Sequence, residues 1–232
     1  MIGIVVPAHN EERDIGDTVA ALLLAAAHPA LQGEAVEVLV VLDSCSDATG
    51  AIARLCGART LAINACNVGR ARAAGADGLL AEGARWLAFT DADTRVSPEW
   101  LVRQLELGAD AVCGSIGVEN WSVHGSHADA LRTHFARTYT DADGHRHIHG
   151  ANLGVSAEAY VRAGGFPALA CSEDVALVEA LQATGARIAW SAAPRVSTSA
   201  RHDARARGGF GDTLLAVIAA GLAASVAPRL AE

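Results

Sequence analysis

The chain is short of charge and of aromatic rings. Charged residues fill 19% of its 232 positions and aromatic ones 4%, against 51% apolar. Disorder needs the opposite balance, low hydrophobicity with high charge, so the chain folds and has material for one sizeable core. Basic residues are in deficit: 18 Lys+Arg face 26 Asp+Glu, for a net charge of −8. That removes support for nucleic-acid binding and for a broad polyphosphate-binding surface, though not for a local site for a phosphorylated ligand. Cysteines number five, at 45, 56, 66, 113 and 171, with no C-x-x-C pair. An odd count without that spacing excludes a disulfide framework and a zinc knuckle, and it predicts free core thiols in a reducing, cytoplasmic compartment. No G-x-G-x-x-G follows the first apolar run, which excludes a Rossmann dinucleotide site. No apolar run reaches the ~20 residues of a membrane span. The longest, alanine-rich Leu214 to Ala227, is read as part of a soluble protein and leaves open a peripheral membrane contact or a homodimer surface. The early acids Glu11 and Glu12, after one short apolar run, argue against a signal peptide.

What is present is an alternation. Strand-length apolar runs at Ile2 to Val6, Val36 to Leu42, Arg59 to Ile63, Trp86 to Thr90 and Ala109 to Cys113 are separated by helical patterns. The helices are expected over Ile15 to Ala27, Asp47 to Cys56, Gly69 to Glu82 and Pro98 to Leu107, capped by Asp14, Ser46 and Ser97 at the first, second and fourth. Near-continuous apolar strands joined by helices mean βαβ units, hence an α/β fold with a mainly parallel twisted sheet flanked by helices. The second half is less regular. Helices are expected at Ser126 to Arg137, from Glu158, at Glu173 to Thr184 and at the end. Strands are expected at His149 to Ser156, Arg187 to Trp190 and Arg195 to Ser199, before an exposed loop from Arg201 to Asp212. No linker divides the halves, so one domain spans 1–232: a βαβ front over 1–115, a mixed part over 116–200 and a C-terminal loop and helix over 201–232.

Ligands of open α/β sheets bind beyond the carboxyl ends of the strands. Three strands run into polar clusters there: Pro7-Ala8-His9-Asn10-Glu11, Asp43-Ser44-Cys45-Ser46-Asp47 and Asp91-Ala92-Asp93-Thr94. Two carboxylates one residue apart repel unless a cation sits with them, and oxygen ligands suit Mg²⁺ or Mn²⁺. Glu173-Asp174 follows Ser172. The pair reads either as a capped helix start or as a general base at a helix N-terminus. Among the nine histidines, His145, His147 and His149 alternate onto one face, but the preceding Asp141 to Gly144 turn favours a loop over a second metal site. Of the tryptophans, Trp86, Trp100 and Trp190 are core candidates and Trp121 a candidate for stacking on a sugar.

These pieces resemble the family 2 glycosyltransferases, inverting nucleotide-sugar enzymes of the GT-A fold. The resemblance rests on Ile4 to Glu12, Asp43 to Asp47, Asn67 to Gly75, Asp91-Ala92-Asp93, His149 to Asn152, Ala163 to Phe166 and Glu173-Asp174, in that order. It implies a single GT-A-type, nucleotide-diphospho-sugar transferase-like domain. Pro7, Ala8, His9 and Glu11 would hold base and ribose, with Asp43 on the base and Arg70 or Arg72 adding a contact. Asp91 would meet the ribose or a metal-bound water, and Asp93 the Mn²⁺ or Mg²⁺ that bridges the diphosphate. Gly150, Ala151, Asn152, Gly164, Gly165 and Phe166 would line the donor-sugar and acceptor region. Asp174 would be the catalytic base, with Glu173 shaping the acceptor site. The implied partners are a nucleotide-diphosphate sugar, UDP-linked by preference, and an unidentified hydroxyl acceptor. The family's R/Q-x-x-R-W motif is missing. In its place Arg201, Arg205 and Arg207 would close over the diphosphate as a basic lid, with His202 as a further metal ligand.

Two other readings compete. One is a non-catalytic nucleotide-sugar-binding or scaffold protein. The other is a metal-dependent phosphatase using Asp91 and Asp93, against which Thr94 stands one position early for a D-x-D-x-T motif.

Overall fold

The structure, a computed structural model, describes residues 1–169, 171–201 and 209–226. The front half runs Ile2–Ala8 (β1), Ile15–Ala26 (α1), Val36–Asp43 (β2), Thr49–Leu55 (α2), Arg59–Ile63 (β3), Val68–Ala81 (α3), Trp86–Phe89 (β4), Thr94–Val96 (β5), Trp100–Glu106 (α4) and Ala111–Gly117 (β6). The rest runs Ala128–Thr138 (α5), Leu153–Ser156 (β7), Ala157–Arg162 (α6), Glu173–Ala183 (α7), Ile188–Thr198 (β8) and Phe210–Val226 (α8). Among the described residues no helix is long and apolar enough to cross a membrane.

One mixed sheet of eight strands, ordered β3-β2-β1-β4-β7-β6-β8-β5, forms the centre. β3, β2, β1 and β4 are mutually parallel, as are β6 and β8. The alternation of a pleated strand explains the two cores. Ile2, Ile4 and Val6 of β1 point into a layer with α1 and α4, while Val5 points into a layer with α3 and α7. The α3 layer is thin. A Cβ at Gly75 would lie 2.5 Å from Val5 and 2.9 Å from Val41, so only glycine lets this helix approach the sheet so closely. A third, small cluster gathers Trp121, Leu131, Ala200 and Leu214 beneath α8.

The structure revises several expected elements. β7 runs antiparallel to both β4 and β6, and β5 antiparallel to β8, so antiparallel pairs break an otherwise parallel sheet. The two late strands are one, β8, which continues through Pro194 and shifts register between Gly114 and Ile116 of its partner. Asp14 makes no side-chain cap bond, and Ser97 lies before the α4 N-cap, Glu99. α2 begins after Ala48 rather than Ser46. Its first amides are held instead by Asp47 Oδ1, 3.0 Å from the Thr49 N, and by Glu12 Oε2, 3.1 Å from the Ala48 N. The expected helix cap Ser172 is left-handed, at φ 60°, and makes no cap bond.

Candidate active site

Strand order reverses at β1: the chain moves outward through β2 and β3, then returns to β4 on the other side. Such a switch point opens a crevice at the carboxyl edge. The loops there are interlaced. Asn10 Oδ1 accepts the Ser46 N–H at 2.8 Å, and the Glu11 N–H donates to Thr49 Oγ1 at 2.7 Å. The His9 ring donates through Nδ1 to the Asp43 carbonyl at 2.7 Å. Asp43 fastens the third loop: Oδ1 accepts the Ala65 and Cys66 amides at 2.7 and 2.8 Å, and Oδ2 the Asn67 amide at 2.7 Å. Burial alone would raise the Asp43 carboxyl, but these amides bring it below its ordinary value. Asn10, Ser44, Cys66 and Ser172 all have positive φ, so strained backbone gathers at this edge.

Asp93 leaves β4 into the same crevice and is buried. Burial pushes its carboxyl up to about 7; Arg201 opposes the rise, while Asp91, Glu11 and Asp14 add to it. Arg201 sits over three of these acids. It pairs side-on with Glu11, at 2.5 and 2.7 Å, and lies 3.2 Å from Asp93 and 3.6 Å from Asp14. Glu11, expected at the base and ribose, is joined through Arg201 to the Asp93 side of the crevice. Asp14, read only as a helix cap in the sequence, is a missed member of this cluster.

Arg72 is the second hub. It is only 3% exposed and pairs with Asp91 at 2.5 Å and with Glu173. Phe166 lies under its guanidinium, 5.8 Å from the ring centroid. Gly150 backs it so closely that a Cβ would fall 2.4 Å from Nη2. Burial raises the Glu173 carboxyl despite the opposing Arg72 charge. Arg72, expected as a nucleotide contact, is a buried counter-charge in this structure, and Glu173, expected to shape the acceptor site, is its buried partner. Asp174 begins α7 beside them, half-buried. Its Oδ2 accepts the Gly150 N–H at 2.7 Å and its Oδ1 the Val175 N–H at 2.8 Å.

Other expected site residues fall elsewhere. Asn152 is fully buried and spends its amide on Trp100 Nε1 and on the Ser115 and Pro194 carbonyls, so it cannot touch a ligand. Ala151 is also buried. Gly164 and Gly165 form a positive-φ turn after α6 that delivers Phe166 to Arg72. Pro7 and Ala8 belong to β1, and Arg70 is exposed on the first turn of α3. Trp121 is buried against Leu131 and Leu214 and contributes to the lining of a separate cavity. His202, Arg205 and Arg207 lie outside the described residues. The three histidines do not make a metal cage; His147 stacks on Tyr139 at 4.2 Å. The Tyr139 oxygen accepts the Ile116 N–H at 2.8 Å, leaving its hydrogen for His149 Nε2 at 3.1 Å. This pair beside Gly150 carried no signal in the sequence beyond the histidine alternation.

Among the described residues no three-ligand metal cluster is preformed. A diphosphate-bound cation does not need one, because Mg²⁺ typically takes one or two carboxylates and completes its shell with water and phosphate. The buried Asp93 carboxylate, crowded by three other acids, is a donor set that fits such a cation.

The fold is that of the GT-A glycosyltransferases. The profile of glycosyl transferase family 2 matches residues 3–162, and the chain belongs to that family. No curated protein matches the sequence significantly. Among solved structures, residues 1–349 of S. aureus TarS in complex with UDP-GlcNAc align with a TM-score of 0.65 at 16% identity, covering 94% of this chain and 65% of that one. This chain therefore spans slightly less than two thirds of that fragment. The mannosyltransferase PcManGT from Pyrobaculum calidifontis, in complex with GDP-Man and Mn²⁺, aligns at 0.60 and 18% identity, covering 99% and 76%. M. tuberculosis glucosyl-3-phosphoglycerate synthase aligns at 0.55 and 19% identity, covering 99% and 82%.

Proposed function

We propose that the chain transfers a hexosyl unit from a nucleotide-diphosphate sugar to a hydroxyl acceptor with inversion, and that Asp174 is the general base. One observation carries this reading. The base candidate and the Asp91-Ala92-Asp93 segment meet at Arg72, which bonds Asp91 and Glu173 and packs against Gly150, whose N–H bonds Asp174. The TarS and PcManGT complexes, with UDP-GlcNAc and GDP-Man, support a nucleotide-sugar donor. UDP is the favoured nucleotide, held by the loops of Pro7, Ala8, His9 and Asp43, with Arg70 at the rim.

Asp93 would hold a divalent cation, Mn²⁺ or Mg²⁺, with Asp91 reaching it through water and His202 as a further ligand. Bound there, the cation would neutralise charge growing on the leaving diphosphate. Asp174 takes the acceptor proton as the acceptor oxygen bonds to the anomeric carbon. The bond from that carbon to the phosphate oxygen breaks on the opposite face, and the nucleoside diphosphate leaves. One displacement inverts the centre, and its transition state has oxocarbenium character. Arg72 holds Glu173 and Asp91 in place. Arg201, Arg205 and Arg207 would close on the diphosphate. Residues 1–115 serve the nucleotide and 116–200 the acceptor, while 201–232 closes the site and offers the surface for a homodimer or a membrane contact. Five free thiols suit the cytoplasm.

The test is calorimetry with UDP, GDP and dTDP with and without Mn²⁺, followed by turnover of the Asp174→Asn variant. The amide oxygen still accepts the Gly150 N–H, so nucleotide binding should persist while transfer falls about 10²–10⁴-fold. Unchanged turnover overturns the assignment of the base.

A further inference from the structure

A cavity of about 620 Å³ lies beside the crevice, within the ~300–1,000 Å³ range of small-molecule pockets. β4 and β6 are both antiparallel to β7, so the end of β6 at Gly117 shares the carboxyl edge with the end of β4. The cavity opens there, between Gly117, the segment through Trp121, and α5.

Its wall is rigid. Trp121 packs on Phe135 with 5.6 Å between centroids, Phe135 stacks on Tyr139 at 4.6 Å, and Tyr139 stacks on His147 at 4.2 Å. These rings hold one another, which fixes an apolar floor before any ligand enters. The same Tyr139 bonds His149, the residue before Gly150, whose amide holds Asp174. Two hydrogen bonds and one peptide link therefore connect one wall of the cavity to the proposed base.

The rim charges come in pairs. Arg195 bridges to Asp141, and Arg132 to Asp129 at 2.9 Å. Glu119 adds a further acid to the lining. The rim thus offers many hydrogen-bond donors and acceptors with a small negative excess. That repels an anion and suits a ligand with many hydroxyls and an apolar ring face.

We propose that this cavity is the acceptor site and that it takes an uncharged carbohydrate, presenting one hydroxyl toward Asp174. The assignment rests on the glycosyl-transfer reading above. The discriminating substitution is Ala136→Trp, at an exposed, helical position lining the cavity, which fills the space without removing a core contact.

The experiment is saturation-transfer NMR on the full chain with saturating UDP or GDP. The probes are methyl β-glucoside, methyl α-mannoside, maltose and cellobiose, with phosphoglyceric acid as the anionic comparison. At least one neutral saccharide should bind, phosphoglyceric acid should bind more weakly, and Ala136→Trp should weaken the saccharide about tenfold by steric exclusion. Arg132→Ala, at the exposed rim, should weaken it less, and nucleotide affinity should stay unchanged in both variants. Failure of every saccharide, binding indifferent to Ala136→Trp, or preference for phosphoglyceric acid overturns the proposal. Saccharide binding that is sensitive to Ala136→Trp while no nucleotide binds would sustain the cavity and overturn the donor reading instead.

Discussion

Arg201 and Glu11, 190 positions apart, meet side-on: Nη1 lies 2.5 Å from Oε2 and Nη2 2.7 Å from Oε1. Glu11 is buried, and the same guanidinium lies 3.2 Å from Asp93, whose side chain is 12% exposed. Removing Arg201 therefore strands two carboxylates. Arg201→Gln should lower the unfolding free energy by about 2–4 kcal/mol, toward the cost of breaking a buried pair. Glu11→Gln in the same chain should recover part of that loss, with a coupling of about 1–3 kcal/mol in a double-mutant cycle read by urea unfolding. Strict additivity would show that the pair is not energetically coupled.

Asp93 sets a second expectation. If its carboxylate serves a diphosphate-bound cation, Mn²⁺ should tighten nucleotide binding, and chelation should reverse the gain. Asp93→Ala should weaken Mn²⁺-dependent binding about tenfold or more, as loss of a hard oxygen ligand does. Calorimetry in Mn²⁺ and in chelator checks this, and equal affinities in the two buffers would refute it.

Gly150 makes room for a guanidinium. A methyl group there would sit 2.4 Å from Arg72 Nη2 and 2.5 Å from Cζ, so Gly150→Ala should cost about 1–3 kcal/mol of stability through overpacking. Because Arg72 holds Asp91 and Glu173, transfer should fall further than nucleotide affinity. A thermal melt and a turnover assay read the two effects separately.

His149 makes stability depend on pH. Burial, aided by His147, drops its ring from an ordinary 6.5 to about 4. The folded state keeps it neutral where the unfolded chain protonates it. The contribution is complete above pH 6.5 and is lost as pH falls from there through about 4. A difference of that size between folded and unfolded chain is worth about 3 kcal/mol. His149→Gln keeps an acceptor for Tyr139 and removes the titration. The wild-type melting temperature should therefore fall between pH 7 and pH 4.5 more steeply than the variant's.

The front of the fold was legible because its inner strands β1, β2 and β4 are largely buried on both faces. Continuous runs such as Val36 to Leu42 signal a parallel layer, and the change to acids at Asp43 and Asp91 marks the carboxyl edge. The back was harder for physical reasons. Pro194 interrupts the pattern of β8 although its carbonyl still serves Asn152. Thr94–Val96 is too short to announce β5. Asn152 reads as a site residue because a buried, fully bonded amide and an exposed one look alike in one dimension. Arg72 and Arg201 both stand out, but their partners Glu173 and Glu11 are 101 and 190 positions away, beyond any local pattern.

The clasp of Asp43 on the amides of 65–67 bears on the timing of order. An oxyanion supplied by the chain itself already fills this small nest of N–H groups. The rim of the proposed nucleotide crevice is then shaped during folding rather than on ligand arrival. A nucleotide meeting a finished rim loses little further chain entropy on docking. Affinity at this end of the site can therefore go into choosing between bases rather than into organising the loop that reads them.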